Sequence, residues 1–330
     1  MKKQLGTFSP FRPFSVSPRL RILIFGAGAV GSTFGGFLSR HHDVTLLGRP
    51  RHLKAIWNSG LLITGIWGRH HFKKFELATG ASDLTGKKFD LVLLTVKAYD
   101  TAKAAGQLKK ILKNKPVVLS LQNGLGNIEA LHAVFPPRQI LAGRVIFGAI
   151  LSKPGQVKIT VMAHPTAIGE TSVRKETPRV KALVRDFKKA GLPVAATPDI
   201  VSVLWAKVIY NCALNPLASL LGCRYGDLME KEETRSVMNE VIAEIYDLAR
   251  KMKVKLMPPA AEKYQKLFYS QLVPRTYHHY PSMLQDLRHG KRTEIDALSG
   301  AVTKLGEKYG VPVPVNALLA ARIRKREKCS

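Results

Sequence analysis

Cysteine and acidic residues are scarce in this sequence, and long apolar runs are absent from it. The 330 residues include three cysteines, Cys212, Cys223 and Cys329, and none belongs to a CxxC pair. A disulfide framework and a structural metal site are therefore not expected, and a reducing, cytoplasmic compartment is predicted. No apolar run reaches the roughly 18 residues of a membrane-spanning helix, so no membrane span is predicted.

The shortage of acidic residues leaves a large positive charge. Lysine and arginine number 52 against 23 aspartates and glutamates, which gives a formal net charge of +29. Such a field attracts anionic ligands and binds nucleic acid nonspecifically. No RNP, zinc-finger or basic-zipper pattern accompanies the charge, so specific nucleic-acid binding is not predicted. Most of the charge is interpreted as a solvated surface.

The first 20 residues form a basic leader that lacks both acidic residues and the apolar core of a secretory signal. Three interpretations stay open for it: a transit peptide, a disordered leader, or a start codon placed too early. The chain as a whole is long enough for two domains.

A glycine-rich motif, GAGAVG, follows the first apolar segment. The surrounding elements are a predicted strand at 21–25, a helix at 32–40 and a second strand at 43–47. In this βαβ context Gly26 permits the tight turn, Gly28 lets a pyrophosphate approach the backbone, and Gly31 allows close packing of helix on strand. The phosphates are expected on the free N–H groups of the turn, including those of Ala29 and Val30. The motif predicts a dinucleotide site.

The end of the second strand selects the cofactor. A carboxylate is expected there when the ribose carries a free 2′-hydroxyl, but this strand ends in Leu47-Gly48-Arg49 with no acidic residue nearby. A guanidinium can bind a 2′-phosphate through two hydrogen bonds. The pattern therefore predicts NADP(H). The alternative is that Arg49 is an ordinary solvated loop charge.

The alternation of strands and helices continues to about residue 197. Strands are predicted at 89–96, at 117–121 and within 140–170, with helices at 101–112 and 177–190. Lys97 and Asn123 stand just beyond the carboxyl ends of two strands, where open α/β sheets bind ligands. From Pro198 onward the pattern is helical. We expect a dinucleotide-binding α/β domain over residues 21–197 and a helical domain over residues 198–330.

The most unusual segment is LWAKVIYNCALNPL, which carries Lys207, Asn211 and Asn215 on an apolar background. In a helix, a spacing of four residues puts the three side chains on one face. A buried lysine is costly unless a partner or substrate uses its charge, and neighbouring amides suit a polar small molecule. Pro216 is expected to interrupt this helix and to bend it toward a cleft. The alternative is a half-exposed helix whose lysine extends to water.

A second polar segment, SMLQDLRHGKRTEID, begins at Ser282 and contains Glu294. Ser282 is predicted to be the N-cap of the helix that follows it. Spacing leaves three roles open for Glu294: a surface carboxylate, a capping partner, or an active-site group.

Together these motifs resemble those of the ketopantoate reductase (2-dehydropantoate 2-reductase) family. The match runs from about residue 21 to residue 322, in the family's order: GxGxxG, the strand-end arginine, TVKAYDT, LQNGLGN, LWAKVIYNCALNPL, SMLQDLRHGKRTEID and GVPVPVN. The resemblance implies a Rossmann-like N-terminal domain with a mainly parallel sheet, an all-helical C-terminal domain, and an active site in the cleft between them. It also implies reduction of ketopantoate to pantoate by NADPH.

The resemblance assigns a role to each matching residue. Lys207 matches the catalytic lysine and Glu294 its partner. The other matches are Asn211, Asn215 and Ser282 for the substrate, Lys97 and Asn123 beside the nicotinamide and the reacting centre, and Arg49 for the 2′-phosphate. Asn123 is thus expected at both ligands, and Glu294 also at the cofactor. Lys207 would protonate the carbonyl oxygen, while Glu294 orients its ammonium and opposes the lowering of its pKa by burial.

Two positions depart from the family pattern. Tyr225 stands where a substrate-facing asparagine is common, and Pro281 stands where a second serine is usual. Tyr225 is either a donor to the substrate or an aromatic loop residue that covers the domain. Two rival functions therefore stay open: the same chemistry on another branched 2-oxo acid, and a nonenzymatic NADP(H)-binding sensor. A homodimer is one alternative for the oligomeric state, which the sequence does not decide.

Overall fold

The computed structural model describes residues 19–329 of the chain. Residues 1–18, most of the predicted leader, lie outside the described residues. Leu20, the last residue of that segment, is buried, and its carbonyl accepts a hydrogen bond from the Asp43 N–H at 2.9 Å. The packed part of the chain therefore begins before the first predicted strand.

The N-terminal part is built on two sheets. Its strands are β1 (Arg21–Phe25), β2 (Asp43–Leu47), β3 (Leu61–Gly65), β4 (His70–Phe72), β5 (Glu76–Ala78), β6 (Leu91–Leu94), β7 (Val117–Ser120), β8 (Ile140–Arg144), β9 (Phe147–Lys153), β10 (Gln156–Met162), β11 (Thr166–Glu170) and β12 (Val194–Ala196). In the described chain the larger sheet has the order β12-β11-β8-β7-β6-β1-β2-β5, and β4-β3-β10-β9 form the second sheet.

The larger sheet is parallel from β8 through to β5, and only the β8–β11 pair within it is antiparallel. Its central strands read as continuous apolar runs because helices cover both faces, and all four residues of β6 are buried. β1 lies between β6 and β2, so the strand order reverses at β1. Ligands of such sheets bind outside the carboxyl ends of the strands at this point.

Helices surround the sheets and form the C-terminal part. They are α1 (Ala29–Leu38), α2 (Pro50–Ser59), α3 (Thr101–Ile111), α4 (Asn127–His132), α5 (Pro178–Lys189), α6 (Ile200–Leu221), α7 (Glu232–Lys251), α8 (Ala261–Leu267), α9 (Ser282–Arg288), α10 (Ser299–Tyr309) and α11 (Pro314–Lys328). Short turns of 3₁₀ helix lie between some of them. No strand occurs in residues 198–329, so the predicted α/β fold with a helical C-terminal part is confirmed.

α6 is the central helix of the C-terminal part and carries the LWAKVIYNCALNPL segment. Asp199 caps it by accepting from the Ser202 N–H at 3.1 Å. The expected interruption at Pro216 is wrong, since the helix continues to Leu221. α6 packs against α7, α9 and α11, and its first turns lie on β8 and β11. This contact joins the two parts of the molecule.

By length and composition α6 is also apolar enough to cross a membrane. More than half of its most apolar stretch is buried inside the protein. The central helix of a soluble fold passes the same test, so this one helix is weak evidence for a membrane span.

Candidate active site

The three glycines of the GAGAVG loop differ in the space around them. Gly26 has φ +115°, and a Cβ there would lie 2.7 Å from the Val96 nitrogen. A Cβ on Gly31 would lie 2.3 Å from the Gly26 carbonyl oxygen, so this position must be glycine for α1 to approach β1. At Gly28 the nearest atom would be 4.0 Å away. The open side of the loop is therefore at Gly28, where a phosphate is expected to approach.

The first turn of α1 offers hydrogen-bond donors to that open side. α1 begins at Ala29, three residues before the predicted start. The first helical hydrogen bond runs from the Ser32 N–H to the Gly28 carbonyl at 2.8 Å. The N–H groups of Ala29, Val30 and Gly31 precede it, where helix geometry supplies no acceptor. These donors at a helix N-terminus fit a dinucleotide phosphate.

The side chains that follow β2 point in different directions. Arg49 is exposed at the N-terminus of α2, and within residues 19–329 its guanidinium has no hydrogen bond or ion pair. It is thus available to an anion. His52 instead turns inward, where its Nδ1 accepts from the Gly155 N–H at 3.0 Å and its Nε2 lies 3.0 Å from the Ser32 hydroxyl. Burial lowers the pKa of His52, so it serves as a neutral structural link.

Lys207 reaches from α6 to the carboxyl ends of two strands. Its Nζ donates to Asn123 Oδ1 at 2.5 Å, in the loop after β7, and to the Val145 carbonyl at 2.5 Å, just after β8. The ammonium is thus fixed between the helical part and the sheet. Burial lowers the pKa of Lys207 to about 8, while Glu294 opposes the lowering and Arg144 adds to it.

Within residues 19–329 Glu294 makes no hydrogen bond or ion pair with Lys207, although its charge raises the pKa of the lysine. Its Oε1 accepts from the Ala98 N–H at 3.0 Å, and its Oε2 accepts from Asn123 Nδ2 at 3.5 Å. Asn123 therefore bridges the carboxylate and the ammonium. The expectation that Glu294 itself fixes the direction of the Lys207 ammonium is corrected, because the loop after β6 holds this carboxylate.

Lys97 pairs with two carboxylates of the helical part. Its Nζ lies 2.7 Å from Asp286 Oδ2 on α9 and 3.6 Å from Glu294 Oε2. Burial alone would disfavour its charge, but Glu294 and Asp286 outweigh that effect and raise the pKa of Lys97. Sequence reasoning assigned no role to Asp286. A half-buried lysine at a strand end signals that a carboxylate partner exists, but not which one.

The two asparagines of α6 are both buried but differ in their partners. Within residues 19–329 the Asn211 carboxamide has no hydrogen-bond partner, so it is available to a polar ligand. Asn215 accepts a short hydrogen bond from the phenol of Tyr225, which is itself buried. Tyr225 therefore holds one end of Asn215 and leaves its NH₂ group for another acceptor.

Within residues 19–329 the Ser282 side chain makes no hydrogen bond to the residues of this site. It is the first residue of α9, exposed, and Pro281 occupies the N-cap position, so the predicted capping role is wrong.

Glycine also lets the two parts meet beside the site. Gly124 has φ +84°, and a Cβ there would lie 2.4 Å from the Ala297 carbonyl oxygen. That carbonyl accepts from the Leu125 N–H at 2.8 Å. The LQNGLGN motif thus places Asn123 and docks the helical part on the loop that carries it.

The GVPVPVN motif has a structural position. Glu244 of α7 accepts from the N–H groups of Val315 and Asn316 at 2.7 and 2.9 Å, and from the Asn316 side chain at 2.8 Å. A carboxylate at the first turn of α11 compensates its free N–H groups. Among residues 19–329 no group of three or more His, Cys, Asp or Glu side chains is arranged to hold a metal ion.

Comparison with known proteins agrees with this arrangement. The sequence profile described as Ketopantoate reductase PanE/ApbA matches residues 22–172, and the profile of its C-terminal region matches residues 199–327. The chain belongs to the ketopantoate reductase family. Among curated relatives, the 2-dehydropantoate 2-reductase of Aquifex aeolicus is 37% identical over 311 residues, covering 93% of this chain and 97% of that protein.

Solved structures share the whole architecture. A PanE/ApbA family ketopantoate reductase from Ralstonia eutropha superposes with a TM-score of 0.83 at 33% identity, covering 94% of this chain and 99% of that chain. D-mandelate dehydrogenase, solved with NADH and anilino(oxo)acetate, superposes with a TM-score of 0.81 at 25% identity, covering 94% and 99% of the two chains. Oxidoreductases that are named for different substrates therefore share this fold.

Proposed function

We propose that this protein is an NADP-dependent oxidoreductase that reduces 2-dehydropantoate (ketopantoate) to (R)-pantoate, a step toward pantothenate and coenzyme A. The observation that carries the proposal is the position of Lys207, whose ammonium meets Asn123 at the strand ends that face the glycine loop. Membership of the ketopantoate reductase family supports the choice of reaction.

NADPH, when bound, supplies a hydride to the 2-oxo carbon of the substrate. As negative charge develops on the carbonyl oxygen, the Lys207 ammonium stabilises it and gives up a proton to form the hydroxyl group. Asn123 holds the ammonium in place, and Glu294 holds Asn123. Asn211 and Asn215 supply amide groups to the polar groups of the substrate. Partial exclusion of water from the cleft strengthens each of these interactions.

The cofactor is proposed to be NADP(H), held along the glycine loop and at Arg49. The open backbone at Gly28 and the donors of Ala29 to Gly31 support the pyrophosphate position. The guanidinium of Arg49 is exposed and has no partner in the described part of the chain, which supports binding of the 2′-phosphate. Lys97 and Glu294 are proposed to border the nicotinamide end.

Absorbance-monitored oxidation of NADPH with ketopantoate tests the proposal, beside NADH and a series of other 2-oxo acids. We expect turnover that prefers NADPH and ketopantoate. Lys207→Ala should reduce kcat by at least about a hundredfold, because general acid catalysis contributes about 10²–10⁴. Lys266→Ala, a change to an outer lysine of α8, serves as the control. Turnover by Lys207→Ala within a few-fold of wild type would contradict the mechanism.

A second candidate is the same reaction on another branched or an aryl 2-oxo acid. It is favoured by the aromatic surroundings of Asn215, where the Tyr225 ring lies 6.0 Å from that of Tyr210 and 5.4 Å from that of His279. The substrate series separates the two candidates. Binding of NADPH without any turnover would instead support the nonenzymatic sensor.

A cytoplasmic location is proposed from the cysteines, which are all free within the described residues. Oligomeric state stays a prediction, and light scattering of the purified protein will distinguish a monomer from the suggested homodimer. Weak, salt-sensitive retention on nucleic acid is expected from the charge alone.

A further inference from the structure

Arg144 is a charged residue beside the candidate active site that no part of the proposed mechanism uses. It ends β8, and the next residue, Val145, offers the carbonyl that accepts from the Lys207 ammonium. The first turns of α6 lie on this strand. Arg144 therefore stands where the sheet, α6 and the proposed proton donor meet.

The guanidinium of Arg144 has no partner among the residues that the structure describes. Within residues 19–329 it makes no hydrogen bond or ion pair, and its Nε is buried without an acceptor. Arg179, near the same sheet, shows the usual alternative. Its guanidinium is bound by the Glu170 carboxylate, with Nε at 2.7 Å from Oε1. A half-buried guanidinium without a counter-ion is unfavourable, and this cost is removed when an anion binds.

The groups that share this space with Arg144 are basic. Burial lowers the pKa of His164, and the charges of Arg144 and Arg275 lower it further. Arg275 donates to His164 Nε2 at 2.9 Å, so the imidazole accepts on that nitrogen. The charge of Arg144 also acts on Lys207, a third basic group. The carboxylate whose charge acts on Lys207 is that of Glu294. It accepts hydrogen bonds from Ala98 and Asn123 and does not pair with Arg144.

We propose that Arg144 binds the carboxylate of the 2-oxo acid substrate and thereby selects acids over neutral ketones. The inference rests on the proposed reductase function and deepens it. In a 2-oxo acid the carboxylate and the carbonyl are on adjacent carbons, so a carboxylate receptor must lie beside the proton donor. Arg144 meets this requirement, and a guanidinium matches a carboxylate with two parallel donors.

This placement also couples substrate binding to proton donation. Arg144 without an anion repels the charge of Lys207. A carboxylate on Arg144 neutralises that repulsion, so Lys207 holds its proton more firmly once the substrate is in place. The acid form needed for the reduction is therefore favoured in the complex.

The test compares Arg144→Gln, Arg144→Lys and Arg250→Gln, measured with ketopantoate and with its uncharged carboxamide. Arg250 pairs with Asp247 on the exposed surface of α7, so its variant loses the same charge away from the cleft. For Arg144→Gln we expect kcat/KM for the acid to fall about 10- to 100-fold, the range that a charge-assisted hydrogen bond supplies. The amide should change little, and the KM for NADPH should stay within about twofold of wild type. The kcat/KM of Arg144→Lys for the acid should lie between those of the wild type and Arg144→Gln, because lysine keeps the charge but cannot form the paired hydrogen bonds of a guanidinium.

The assignment would be overturned if Arg144→Gln left the ratio of kcat/KM for the acid to kcat/KM for the amide unchanged, including the case in which both values fell equally. If Arg144→Gln fails to fold, the acid-to-amide ratio is measured in Arg144→Lys instead. A ratio equal to that of the wild type would then contradict binding of the carboxylate by Arg144. Calorimetric binding of oxamate to the NADP⁺-loaded protein separates the two proposals. Oxamate binding that depends on Arg144 without turnover of any 2-oxo acid refutes the reductase and keeps the anion site. Turnover that substitution of Arg144 leaves unchanged supports the reductase and refutes the anion site. If the protein shows no turnover and binds no oxamate, both proposals are refuted.

Discussion

The pH dependence of the reduction should report the ionisation of Lys207. Burial lowers its pKa from 10.5 to about 8, a difference that corresponds to roughly 3 kcal/mol in favour of the neutral amine. The ammonium is the proton donor, so kcat/KM for the 2-oxo acid should be level below about pH 8 and fall about tenfold per pH unit above it. Oxidation of the product needs the neutral amine as base. Its rate should therefore rise with pH through the same value.

Glu294→Gln changes this profile in a direction that the structure determines. The carboxylate raises the pKa of Lys207 against burial and against the charge of Arg144. Glutamine keeps an acceptor for the Ala98 N–H but removes the charge. The pKa of Lys207 should therefore fall further, and the alkaline decline should begin at lower pH. Arg144→Gln removes a repulsion and should move the decline to higher pH.

Initial rates between about pH 6 and pH 10 at constant ionic strength provide the measurement, with saturating NADPH. Glu240→Gln, a change to an exposed carboxylate of α7 that accepts from Ser236, is the control for lost charge. A wild-type profile that stays level to pH 10 would refute the assignment of Lys207 as a buried proton donor. A shift of the decline to higher pH in Glu294→Gln would refute the electrostatic reasoning.

Three further predictions concern the cofactor and substrate sites. Arg49→Asp should raise the KM for NADPH about tenfold or more while leaving that for NADH nearly unchanged, because the new carboxylate repels only the 2′-phosphate; an equal effect on both cofactors would contradict the role. Gly31→Ala should lower the thermal unfolding temperature, since its Cβ would lie 2.3 Å from a backbone oxygen, whereas Gly28→Ala, with 4.0 Å of free space, should fold normally yet bind NADPH more weakly. Calorimetry and fluorescence titration separate the pair, and identical behaviour of the two variants would argue against the loop assignment. Tyr225→Phe should raise the KM for the 2-oxo acid several-fold by releasing Asn215, with the KM for NADPH unchanged; steady-state kinetics with both ligands checks this, and an effect confined to NADPH would show that Tyr225 acts elsewhere.

The sequence alone determined the features that depend on neighbouring residues. Apolar runs marked the central strands, and GAGAVG marked the turn into α1, because tight turns restrict which residues fit. The four-residue spacing of Lys207, Asn211 and Asn215 likewise followed from helix periodicity. Boundaries were less certain, since α1 began earlier than predicted and Pro216 did not end α6, where tertiary packing stabilises the helix on either side of it.

Only the tertiary structure decided which polar groups meet. Lys97 and Asp286 are 189 positions apart, and a sequence without aligned relatives carries no signal that pairs them. The Val145 carbonyl that holds Lys207 is a backbone group, so its residue type reveals nothing. Arg144 resembles many other basic residues in the sequence, and only the fold half-buries its guanidinium with no acidic partner among residues 19–329. The chemistry of a site depends on burial and on distances between remote segments, and folding establishes both.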